Sequence, residues 1–158
     1  MNLSKEIAKH CRQVFFGGNW TDVNLKDTLA GITFEQAGLK YDSFNTIAAL
    51  VFHINYFVEA VTGVLEGKPL TAHDKFSFDL QPLNSAADWE SLKNKLFTNA
   101  ESFASWVEKF PDAQLTDDFT DAKYGNYYRN FIGIIEHTHY HLGQIVIMKK
   151  MILNFNQK

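Results

Sequence analysis

The segment from about Asn126 to Asn154 constrains this chain most. It is apolar through Ile132, Ile135, Ile145, Val146, Met148 and Ile152, and no proline interrupts it. Apolar residues recurring at helical spacing over that length predict one long α-helix. Such a helix needs other elements to cover its apolar surface. Three further segments supply them. Leu3, Ile7, Cys11, Val14 and Phe15 share a stripe that predicts a helix from about Ser4 to Phe16, stopped by Gly17-Gly18. Asp42 or Ser43 is expected to cap a second helix that Gly67-Lys68-Pro69 ends. Phe44, Ile47, Ala48, Val51, Ile54, Tyr56, Val58 and Val61 leave it few polar turns, so protein should surround it. Ser85 or Asp88 caps a third, running through Phe110, with Trp89, Leu92, Leu96, Phe103, Trp106 and Val107 on its buried face and Pro111 after it.

Four substantial helices in one small domain over residues 1–158 imply an all-α fold, a four-helix bundle with long connections. The links permit a non-sequential helix order. Trp20 to Leu39 reads as a connection with a short helical piece near Leu25 to Ala30. Leu70 to Asn84 is a second long link. Its Lys75 to Leu80 run alternates at period two but has no obvious partner strand, so it is expected to be extended loop. No internal repeat or low-complexity tract is present.

A net charge of −3 gives no footprint for nucleic acid, which needs a clustered basic surface. Lys149 and Lys150 suit the negative end of a helix dipole instead. The single cysteine, Cys11, excludes an intramolecular disulfide and reads as a small buried filler. No apolar signal core opens the chain, and the richest apolar stretch, Ile47 to Val64, is interrupted by His53, Asn55 and Glu59. The expectation is a cytoplasmic protein with no membrane and no nucleic-acid partner. Aromatic residues make up 15% of the chain, which suits a core of large side chains.

Chemistry concentrates in the histidines: His10, His53, His73, His137, His139 and His141. At about 100° per residue, His137 and His141 lie roughly 40° apart on a helix, while His139 lies roughly 160° from each. Two imidazoles on one face can close on one ion, and a third from a facing helix completes an open three-histidine metal site. His53 qualifies because it interrupts the apolar face of Ala49, Leu50, Phe57 and Ala60. A hydrogen-bonded core histidine is the plainer reading of that position. His10, His73, Glu136 and Gln144 are rival third ligands. Zincin protease chemistry needs a glutamate after the first histidine, and Thr138 stands there. No nucleophile elbow, phosphate loop or dinucleotide fingerprint is present.

His53-x-x-Tyr56, followed much later by His137-x-x-x-His141-x-Gly143-Gln144, resembles the DinB-like proteins, and Leu25-Lys26-Asp27-Thr28-Leu29 with Phe34-Glu35-Gln36-Ala37 is similar to their usual opening. The resemblance covers essentially the whole chain. It implies a four-helix bundle of unusual order, a homodimer, and a divalent metal, zinc or nickel, held by His53, His137 and His141. It also links the chain to mycothiol-dependent maleylpyruvate isomerase and bacillithiol S-transferases. The expected activity is therefore metal-dependent transfer of a low-molecular-weight thiol to a small-molecule electrophile, with Gln144 or Tyr56 orienting substrate. A metal-dependent hydrolase and a non-catalytic, metal-stabilised binding bundle are the alternatives.

Overall fold

The computed structural model describes residues 2–155, the last two by backbone alone. Six helices and no strand occur among them. Helix α1 (Leu3–Phe16) starts where Asn2 accepts the Lys5 amide, and it buries Ile7, Cys11, Val14 and Phe15. Leu3 is partly exposed. Its amide and that of Ser4 donate to the Asp112 carboxylate at 2.8 and 2.9 Å, so a distant loop caps this helix. Two short helices follow, α2 (Leu25–Leu29) and α3 (Phe34–Gly38).

Helix α4 (Ile47–Leu65) begins later than the sequence suggested. Asp42 lies at φ 46°, in a turn closed by the Phe44 amide on the Tyr41 carbonyl. Neither Asp42 nor Ser43 caps the helix. Thr46 does, its hydroxyl accepting the Ala49 amide at 3.1 Å, and Phe44 stays outside, 60% exposed. Helix α5 (Ala86–Lys109) is capped by Ser85, which accepts the Asp88 amide, while Asp88 accepts the Asn84 amide. Trp106 faces outward at 42% exposure, contrary to the expected stripe, because Phe103, Ala104 and Val107 already fill that face. Helix α6 (Tyr127–Phe155) opens with Asn126 accepting the Arg129 amide at 2.8 Å.

The four long helices pack in a ring: α5 lies against α1 and α4, and α6 closes the ring against the same two. The consecutive helices α1 and α4 are therefore diagonal, which the intervening links make possible. Trp89, Phe15, Phe103 and Phe131 are the largest fully buried side chains. Trp89 also donates its indole N–H to the Ile32 carbonyl at 2.8 Å, tying α5 to the first connection. Helix α4 meets the length and hydropathy of a membrane span, despite its polar interruptions, yet 56% of that window is buried inside the protein. Its neighbours α5, α6 and α3 account for that apolarity.

Candidate metal centre

Adjacent placement of α4 and α6 brings His53 to His137 and His141. The His137 and His53 Nε2 atoms lie 2.9 Å apart, and those of His141 and His137 lie 3.1 Å apart. Among the described residues, these three form the one group of histidine, cysteine or acidic side chains whose ligand atoms could hold a metal ion. His10 lies near His139 instead, with ring centroids 6.2 Å apart. His73 lies on the second link beside Phe76, and Glu136 is exposed. Three of the four rivals for the third position are thus elsewhere, and the fourth, Gln144, meets His141 Nδ1 behind the cluster and does not displace His53.

Two outer contacts fix the imidazoles. His53 Nδ1 faces the Ser77 carbonyl at 3.3 Å, and His141 Nδ1 faces Gln144 Oε1 at 2.7 Å. A carbonyl oxygen only accepts, so each Nδ1 carries the proton and each Nε2 presents a lone pair inward. Burial is the main force holding all three imidazoles below their ordinary value of 6.5, and it pushes His137 down to about 4, with His141 and His53 adding to the effect. Neutral imidazoles whose lone pairs meet near 3 Å repel unless a proton or a cation lies between them. The donor set therefore fits a divalent cation of borderline softness: neutral nitrogen, no carboxylate, and support behind two of three ligands.

Aromatic rings wall the cluster. Phe78 stacks on His53 with centroids 3.9 Å apart and planes 9° apart. Phe57 sets its edge toward His53 and His137, at 5.1 and 5.0 Å. Tyr140 lies edge-on to His141 at 4.9 Å. Ser77 and Phe78 belong to the Leu70–Asn84 link, which holds a short turn over Asp74–Phe76 and no strand. The expected loop is therefore a loop, and it also builds the site. Tyr56 anchors it: its hydroxyl accepts the His73 amide at 2.9 Å and donates to the His73 carbonyl at 3.1 Å. Tyr56 lines a separate groove with Glu59, Lys68 and Asn99 that none of the three histidines reaches. Gln144, by contrast, touches the cluster directly.

Ser77, Phe78 and the wall role of Phe57 were not foreseen. The Ser77 contribution is a main-chain carbonyl, for which no residue type is a signal. Phe78 carried none either, being one of several apolar residues in that link with Leu70, Phe76, Leu80 and Leu83.

A bundle in which neighbouring helices bring three neutral imidazoles to one point defines a class of histidine-centred helical proteins compatible with metal binding. The particular family follows from the sequence match: residues 20–145 fit the model of the DinB superfamily, and the chain belongs to that family. No curated protein and no solved structure matches it.

Proposed function

We propose that this protein is a divalent-metal-dependent thiol transferase that joins a small thiol to a small electrophile. The observation that carries the reading is the convergence of three imidazole Nε2 atoms with no acidic side chain among them. His53, His137 and His141 would hold the ion, zinc or nickel. With neutral ligands such an ion keeps its full charge and lowers the pKa of a thiol that reaches it. The chain's own residues set the conditions. Ser77 and Gln144 aim two imidazoles. Phe57 and Phe78 shield the cluster from water on one side, which strengthens electrostatic effects there. Thr138 is fully buried and donates its hydroxyl to the Ile134 carbonyl at 2.7 Å, so it offers no base for activating water. That favours thiol transfer over hydrolysis.

In the reaction, the thiolate sulfur forms a bond to the electrophilic carbon, the leaving group departs with its electron pair, and the thiol proton passes to solvent. The test starts with elemental analysis of protein purified without a histidine tag. Protein reconstituted with zinc or nickel is then given a panel of small thiols and an aryl chloride. Thiol consumption and chloride release should match, and His53→Ala should reduce both to the uncatalysed rate. A rate independent of His53 rejects the assignment, and so does protein that binds neither metal.

A further inference from the structure

The chain has two arginines, Arg12 and Arg129. Arg12 serves the fold, with its guanidinium 2.9 Å from both Glu101 and Glu108. Arg129 makes no ion pair among the described residues. Yet it lines a groove of about 300 Å³ that lies along α6 and includes His137. Phe57, which touches both His53 and His137, is part of the same groove.

Arg129 is the one charged side chain that lines this groove. Gly125 sits at φ 73°, a left-handed turn that glycine adopts without strain, and a Cβ there would come within 3.5 Å of the Arg129 side chain. The Asn130 amide nitrogen donates to the Tyr124 and Asn126 carbonyls at 3.0 and 2.9 Å, which pins that turn. Next to the lining Tyr124, Lys123 stands over the ring at 4.9 Å and is paired with Asp121 at 3.7 Å, so it adds no free charge there. Gly133, on the floor, has no atom within 4 Å of the place a Cβ would occupy. A larger side chain at this position would therefore extend into the groove that Gly133 lines.

We infer that the groove is a subsite for the carboxylate end of an elongated small molecule whose other end reaches the three-histidine centre, with Arg129 as the residue that recognises it. A guanidinium presents a rigid fork of donors that matches a carboxylate, and an apolar wall beside it strengthens the pairing. Arg129 and His137 are separated by about 12 Å along the helix axis, so the ligand needs several carbons between its ends. The identity of the far end, a thiol, rests on the function proposed above; the anionic end does not.

Isothermal titration of the zinc-loaded protein with three probes tests this: mercaptohexanoate with its thiol and carboxylate at opposite ends, the matching mercaptohexanol, and hexanoate. Mercaptohexanoate should bind about tenfold or more tightly than mercaptohexanol, as expected for a charge-assisted contact. Arg129→Gln should erase that preference and Arg129→Lys should keep part of it, with zinc content unchanged. Gly133→Leu should weaken mercaptohexanoate binding by filling the floor, with the melting temperature retained. Equal affinity for the acid and the alcohol, or a preference that survives Arg129→Gln, overturns the inference. Hexanoate binding as tightly as mercaptohexanoate, still dependent on Arg129, supports the subsite while rejecting the thiol chemistry.

Discussion

At the residue scale, the two outer contacts of the cluster differ in kind. Gln144 supports His141 through a side chain, so Gln144→Leu removes the acceptor and frees the ring to turn. Loss of such a partner lowers metal affinity by about 10–100-fold. Competition against a chromogenic chelator should show that drop, and affinity equal to wild type would mean Gln144 does not set the ring. Ser77→Ala should change far less, because the acceptor there is the peptide carbonyl. The same contrast explains what could be read in advance. His137 and His141 declare themselves by four-residue spacing, and His53 by being polar on an apolar face. Ser77 could not be found that way, since every residue carries a carbonyl. No spacing or pattern marks Arg129 in the sequence, and only the fold brings Gly133 and His137 into its groove.

Elements were legible in proportion to their length. The long helices α5 and α6 repeat their apolar spacing for many turns, so pattern alone locates them. Helix α3 has five residues and no room for a stripe, so it passed as connection. Its one local sign was the reciprocal cap between Thr33 and Gln36. The start of α4 was misplaced because Asp42 and Ser43 are good caps by type, while the backbone turn at Tyr41–Phe44 left Thr46 to do it. Lys149 corrects a local reading: α6 runs on to Phe155 with no basic residue in its last turn, and the Lys149 ammonium instead donates to the Thr28 and Ala30 carbonyls, at 2.7 and 2.9 Å, serving the end of α2. Trp89 links α5 to the first connection. Trp89→Phe strands the buried Ile32 carbonyl and should destabilise the fold by about 1–3 kcal/mol in urea titration. No change in the midpoint would show that the indole N–H contributes nothing to stability.

For the whole molecule, the clustered imidazoles make stability depend on pH. Their folded pKa values lie below the ordinary 6.5, so between 6.5 and about 4 the unfolded chain binds more protons than the folded one. In chelator-treated protein this contribution is fully present above 6.5 and is lost as pH falls toward the His137 value of about 4. For the partly exposed His137, the loss between pH 7 and pH 5 is at most about 2 kcal/mol. Urea midpoints at the two pH values should fall accordingly, and His137→Phe should flatten the difference; an identical slope in the variant would assign it to other groups. The adjacent placement of α4 and α6 has a further meaning. His53 and His137 are 84 positions apart in the chain, and the whole of α5 lies between them. An ion gripping both would turn more than half the polypeptide into a closed ring. Releasing it would then undo a topological restraint on everything between α4 and α6 as well as three coordinate bonds.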